Sequence, residues 1–161
     1  MIRRPPRSTQ GVSSAASDVY KRQPHKRPRA TLTPTLVTQN GNPYMVFGTP
    51  GGDAQEQWTS QFFLNYVDFG MDIQDGLDAP TVHSTHFPSS FYPRPAYPGR
   101  VVAESRISQQ VIDELKKRGH RVDMTGEWSN GKVMGIRFDK ERGVIQGGVA
   151  PKGNIGYAIG W

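Results

Sequence analysis

The segment from Thr31 to Asp53 limits the fold of this chain more than any other. Thr31-Leu-Thr-Pro-Thr-Leu-Val37 carries the side chains of a strand, Asn40-Gly41 marks a hairpin turn, and Tyr44 to Phe47 reads as the return strand. Pro34 places the first strand at a sheet edge or bends it where it starts. The second strand runs into Gly48-Thr-Pro-Gly-Gly52, and a long helix follows at once. Asp53 stands at the N-cap with Glu56 three residues on, a capping-box spacing. Gly51 and Gly52 have no side chains, so their peptides can approach a ligand closely and take backbone angles closed to other residues. The helix start adds unpaired N–H groups and a partial positive charge. Strand, glycine pair and helix in this order make a cradle for an anion or an oxyanion. The plainer alternative is a tight turn that needs one positive φ.

The rest of the chain alternates helix and strand patterns, which places it in the α+β class. Ala54, Trp58, Phe62, Tyr66 and Phe69 recur at helical spacing and predict a core-facing stripe on a helix from Asp53 to about Phe69. Gln55, Thr59, Gln61 and Asp68 fall largely on its other faces, and Gly70 is placed to end it. A short helix is expected from Ile73 to Leu77, then a strand from Thr81 to His86. On a strand, His83 and His86 face opposite sides, and no third ligand has a convincing spacing, so no metal site is expected. Phe87 to Arg100 is rich in proline and aromatic residues and reads as a stiff surface loop, or as the wall of a substrate pocket. Val101 to Ala103 is a short strand. Ser108 caps a helix to Arg118 in which Ile107 and Ile112 form a staple and Val111, Ile112 and Leu115 face the core. Strands follow at Arg121 to Met124, Lys132 to Phe138 and Val144 to Val149, with a hairpin loop from Asp139 to Gly143.

Charge excludes the most obvious partner. The formal net charge is +6, but of 20 basic and 14 acidic residues, eight and one lie in residues 1–29. That leaves 12 basic against 13 acidic residues in the remaining 132, so the basicity belongs to an arm. No helix or aromatic platform accompanies it, and no nucleic-acid role is expected. No apolar run approaches the roughly 18 residues of a membrane span. There is no cysteine, hence no disulfide framework or thiolate metal site, and no cofactor is expected. Gly153, Gly156 and Gly160 do not make a phosphate loop, since Lys152-Gly153 has the wrong order and no helix follows.

Residues 1–23 have no helical or strand period and lack the apolar core of a signal peptide. They resemble translated sequencing-adapter DNA and are read as an artefactual or disordered basic arm, leaving residues 24–161 as the protein proper. Within these, Thr31-Leu-Thr-Pro-Thr35 followed by Gly48-Thr-Pro-Gly-Gly52 closely resembles the small-subunit signature of the γ-glutamyltransferase family, which belongs to the N-terminal-nucleophile hydrolases. The resemblance continues through Gly70-Met-Asp-Ile-Gln-Asp-Gly-Leu-Asp-Ala-Pro80 to Gly156-Tyr-Ala-Ile-Gly160.

The resemblance implies a partial αββα sandwich, two stacked sheets between helix layers, incomplete as given. It implies acyl transfer or hydrolysis at a γ-glutamyl amide such as glutathione, by a precursor that cuts itself to expose a nucleophilic threonine. That threonine and the large subunit lie outside the matching stretch, so the expected partners are the large subunit and the front of the small subunit of the same precursor. Gly51 and Gly52 match the glycine pair whose amides form the oxyanion hole. The family's two serines that bind the substrate carboxylate fall on Ala30 and Thr31, of which only Thr31 keeps a hydroxyl. This departure suggests a branch with altered acyl specificity. Family members are often periplasmic or secreted, but the compartment is not fixed by these residues. The alternatives are a related amidohydrolase, or a non-enzymatic interaction domain using the basic arm or the PxxP-spaced Arg94-Pro-Ala-Tyr-Pro98.

Overall fold

In the computed structural model, residues 32–152 and 156–159 are described. The hairpin forms as its residues dictate. β1 (Thr35–Gln39) and β2 (Asn42–Gly48) pair antiparallel, and Asn40 and Gly41 take φ of +50° and +75° between them. A two-residue hairpin turn of the matching twist needs both angles positive, and Asn-Gly supplies them at little cost. Pro34 stays outside the ladder, which begins at Thr35.

β2 pairs onward with β6 (Met134–Asp139), and β6 with β7 (Val144–Val149), to give an antiparallel sheet in the order β1-β2-β6-β7. Register sets which side chains share a face. Thr35, Phe47, Gly135 and Gly148 form one row across the sheet, and Leu36, Val46, Ile136 and Gly147 form the neighbouring row on the other face. The two glycines beside Phe47 open a trough. A Cβ on Gly135 would stand 3.1 Å from Phe62 Cζ, and one on Gly148 only 2.7 Å from Leu77 Cδ1. Phe62 comes from α1 (Gln55–Val67) and Leu77 from α2 (Ile73–Asp78), so the trough seats both helices. With Met45, Phe47, Val133 and Ala150 they make the buried core, and Phe47 meets Phe62 edge-on with ring centroids 5.4 Å apart. Burying one such side chain is worth about 2 kcal/mol.

Helix α1 departs from the expected stripe at both ends. Its N-cap is Ala54, without a side-chain cap bond, and its buried residues are Gln55, Thr59 and Phe62. Trp58 and Tyr66 are half-buried against the core, while Phe69 lies beyond the helix and is 72% exposed. The stripe fails at Phe69 because the helix ends at Val67, and Gly70 then turns the chain with φ of +66°. Gln55 is buried because it has a partner: Thr33 donates its hydroxyl to Gln55 Oε1 at 3.0 Å.

A second, three-stranded sheet has the order β3-β4-β5, from β3 (Val82–Ser84), β4 (Arg100–Glu104) and β5 (Arg121–Thr125). β4 and β5 run parallel through α3 (Gln109–Lys117), whose Ser108 cap accepts from Val111 N–H. Ile112 is buried under α3, but Val111 is 49% exposed, because the short helix turns only one narrow face to the sheet. β3 stops at Ser84, short of the strand expected to reach His86. Its outer edge is capped by a helix. Gln57 and Gln61 of α1 each make two bonds to that edge. Gln57 Oε1 accepts from Ser84 N–H at 2.7 Å and its Nε2 donates to Ser84 O at 3.0 Å. Gln61 Oε1 accepts from Val82 N–H at 3.0 Å and its Nε2 donates to Val82 O at 2.6 Å.

Glu104 is wholly buried at the end of β4 and fully used. Its carboxylate accepts from the N–H groups of Thr81, Ser129 and Asn130 and from Arg106, and buried Lys152 stands 3.5 Å away while donating to Ala79 O. One carboxylate thus ties the approach to β3, the loop after β5 and the segment after β7 to a single point.

The face of the four-stranded sheet turned away from α1 and α2 is apolar, and among the described residues only the segment with Tyr157, Ala158 and Ile159 lies against it. Leu36 is 62% and Ile145 69% exposed there, beside Val46, Met134 and Ile136. This is one sheet and one helix layer of a sandwich. A protein of residues 24–161 alone is expected to self-associate and bind a hydrophobic dye, and Leu36→Lys with Ile136→Lys to abolish both without loss of helix signal. A monomeric, cooperatively melting parent by light scattering and calorimetry would contradict this. Gln61→Ala strands the polar groups of Val82 and is expected to cost roughly 1–3 kcal/mol in denaturant unfolding.

Candidate active site

The turn between β2 and α1 brings the glycine pair between two aromatic rings. Gly51 has φ of +153°, and a Cβ there would lie 3.0 Å from Trp58 Cζ3 and 3.2 Å from Gln55 Cγ. A Cβ on Gly52 would lie 2.9 Å from Phe91 Cε2. A side chain at Gly51 would be strained by its backbone angle and crowd Trp58 and Gln55, and one at Gly52 would force the Phe91 ring to shift. Gln55 N–H donates to Gly52 O at 3.2 Å, which starts the helix. Among the described residues no protein group accepts from the amides of Gly51 or Gly52. Unspent donors at a helix start are what an oxyanion requires.

Asp53 has a different task from the expected cap. Its Oδ2 accepts from Ser89 Oγ and from Ser90 N–H, both at 2.8 Å, and so draws the loop between β3 and β4 down over the turn. Ser89 in turn accepts from Phe91 N–H at 3.1 Å, which fixes the residue that covers Gly52. Pairing Ser-Ser-Phe in a proline-rich loop with an aspartate after a glycine pair is a signal that spacing rules for caps do not contain.

Under this loop is a cavity of about 590 Å³, walled by Gly52, Glu56, His83, Phe87, Phe91 and Tyr97 among others. His83 packs edge-on against Trp58 at 5.3 Å, and its Nδ1 is buried without a protein partner. Burial pushes the His83 pKa below its usual value, and the nearby Arg100 charge adds to this. His86 serves elsewhere: its Nδ1 accepts from Gly99 N–H at 3.1 Å. The two histidines thus have separate structural roles, and among the described residues no group of three or more possible metal ligands gathers.

Thr31 and Ala30, the sequence-predicted carboxylate-binding positions, lie outside the described residues. The nearest described anchor is Thr33, whose bond to Gln55 ties the lead-in to β1 to the start of α1.

The family model described as Gamma-glutamyltranspeptidase matches residues 4–160. The chain belongs to that family. The match takes in most of the arm as well as the signature. Among curated proteins, a glutathione hydrolase-like YwrD proenzyme of Bacillus subtilis (strain 168) is 33% identical over 141 residues, covering 86% of this chain and 25% of the relative. Among solved structures, one described as LmbA2991HD superposes with a TM-score of 0.81 at 42% identity, over 86% of this chain and 25% of that one. The cephalosporin acylase from Bacillus halodurans superposes with a TM-score of 0.68 at 30% identity, over 81% of this chain and 22% of that one. The chain spans about a quarter of the length of the curated relative. The fold is α+β, a partial αββα sandwich of the N-terminal-nucleophile hydrolase type.

His83 makes stability depend on pH. With its folded pKa below about 6.5, the unfolded chain binds the extra proton, so the stabilisation is complete above that value. It is lost as pH falls from there toward the folded pKa. Stability of the protein in denaturant unfolding is expected to fall over that window, and His83→Gln to flatten the slope. An unchanged slope would place the titration elsewhere.

Proposed function

We propose that this chain supplies the oxyanion-binding half of an acyl-transfer site in a γ-glutamyltransferase-type enzyme. The rest of the same precursor, including the large subunit and the front of the small subunit, brings the nucleophilic threonine. The observation that carries this reading is the glycine turn: two amides with no protein acceptor among the described residues, at a helix start, beside a cavity. The threonine hydroxyl adds to the amide carbonyl of a γ-glutamyl donor, and the developing O⁻ takes hydrogen bonds from Gly51 and Gly52. Collapse expels the amine and leaves an ester, which water or an amine then opens. Donors aimed at the oxyanion do most for the rate when they need no rearrangement, and the rings of Trp58 and Phe91 hold this turn on both sides.

Thr31 is assigned to the donor carboxylate, with Ala30 at the vacant second hydroxyl position. That vacancy favours a second reading, a related amidohydrolase whose acyl group is not γ-glutamyl. Both readings use the same turn.

In the intact enzyme Gly51→Val is expected to lower kcat by roughly 10²–10³, the usual loss for one oxyanion donor. Circular dichroism separates this from misfolding, since a side chain at Gly51 also meets Trp58. Full turnover in Gly51→Val would remove the assignment. Thr31→Ala is expected to raise KM for a γ-glutamyl anilide with little change in kcat, and an unaltered KM would favour the second reading.

A further inference from the structure

The loop between β3 and β4 is tied to the rest of the chain at one carboxylate. Among the described residues, every hydrogen bond that leaves positions 87–96 ends on Asp53 Oδ2, which accepts from Ser89 Oγ and from Ser90 N–H, both at 2.8 Å. The other bonds of this stretch are internal. Ser89 N–H donates to Pro95 O at 2.9 Å, Arg94 N–H to Phe91 O at 2.6 Å, and Phe91 N–H to Ser89 Oγ at 3.1 Å. Phe87 and Tyr92 are 81% and 85% exposed, so packing adds little hold from either of them. Phe91 turns inward, and its Cε2 lies 2.9 Å from where a Cβ on Gly52 would stand. The loop thus grips residues 52 and 53, one by a ring and the other by hydrogen bonds.

This grip falls on a part of the chain that cannot aim itself. Two successive glycines have no conformational preference that fixes their peptide planes. Oxyanion donors accelerate a reaction when they already point to where charge develops. Neighbours must therefore supply the aim. Trp58 meets Gly51 from within α1, where the helix backbone fixes its position. Phe91 meets Gly52 from the loop, and its ring is only as well placed as the loop is. Ser89 controls that placement, because a hydroxyl can donate and accept at once. It gives its proton to the charged Asp53 carboxylate and its lone pair to Phe91 N–H. The Ser90 bond alone would keep the loop at Asp53 and leave the Phe91 backbone free to turn.

We infer that Ser89 is a positioning residue for acyl transfer, setting the Gly52 amide through Asp53 and Phe91. This rests on the acyl-transfer reading given above. The same amide serves the oxyanion formed from the amide donor and the one formed from the ester. Ser89 therefore acts on both steps, whatever the leaving group.

The test uses the intact processed enzyme with two donors, a γ-glutamyl anilide and glutamine, whose leaving groups are a bulky aniline and ammonia. Initial rates normalised to the processed fraction give kcat and KM, and circular dichroism follows melting. Ser89→Ala is expected to lower kcat by roughly 10–10²-fold for both donors with KM little changed, since a misplacement of about 1 Å costs up to that much. Phe91→Leu leaves Asp53 and Ser89 as they are and is expected to lower kcat for both donors in the same way. The double variant is expected to be no slower than the slower single one, because both changes act on one contact. An unchanged kcat in Ser89→Ala, a rise in KM alone, a loss confined to the anilide, or losses that multiply in the double variant would each overturn the role. Gly51→Val then still reads the oxyanion assignment independently. If Ser89→Ala loses its melting transition, Phe91→Leu decides, and an unchanged kcat there overturns the role. No glutamate from the wild-type enzyme with either donor removes the acyl-transfer reading and this role with it.

Discussion

Two glutamine side chains on one helix hold the edge of the three-stranded sheet against the layer that seats on the four-stranded one. β3 is an edge strand, and an edge presents backbone donors and acceptors that must be met. Gln57 and Gln61 lie one turn apart on α1, and each returns one acceptor and one donor to alternate residues of β3. The side-chain amides act as a substitute strand. Because α1 is itself seated in the Gly135 and Gly148 trough, the three-stranded sheet inherits its position from the four-stranded one. His83 and the loop after β3 then fall over the glycine turn without any direct pairing between the sheets.

The same economy governs the turn. A carboxylate at the cap of α1 would compete with an anionic ligand for the first amides of the helix. Ala54 occupies that position and offers no acceptor, while Asp53 directs its Oδ2 to Ser89 and Ser90. The capping bond forgone is worth on the order of 1 kcal/mol. In exchange the loop is held against Gly52, and the helix start keeps a clear approach. On the acyl-transfer reading, local stability and the needs of the site compete here, and the residue choice follows the site.

The hairpin, the two short helices and the order of strands were legible because they depend on local chemistry: Asn-Gly turn angles, the Ser108 cap, and apolar runs bounded by glycine and proline. The order of strand, glycine pair and helix start was legible too, while their use as an oxyanion cradle is the proposal made above. The misreadings share one cause. Gln55 and Thr59 are polar by type but buried, because Thr33 and the helix backbone satisfy them. Phe69 and Val111 are apolar by type but exposed, because their segments end or turn before a neighbour reaches them. Periodicity reports which residues prefer burial and says nothing of partners contributed from distant sequence. Asp53 with Ser89, Gln61 with Val82, and Glu104 with Ser129 are all such pairs, each separated by at least 21 residues.

The apolar sheet face and the glycine turn belong to the same strand. β2 carries Val46 in the outer row, beside Leu36 and Ile136, and two residues later ends at Gly48, where the turn begins. On the acyl-transfer reading, a second sheet stacked on that outer row would lie within a few residues of the oxyanion amides. Apolar stacking fixes sheet separation at about 10 Å, a spacing set by many side chains at once and hard to alter by one. The attacker would then be positioned by the core of the sandwich, whereas its electrophilic partner is positioned by the rings of Trp58 and Phe91. Precision at the reacting carbon would come from two independent packings meeting at one strand end. A substitution in the outer row would therefore weaken catalysis by moving the nucleophile and leave the geometry of the glycine turn unchanged.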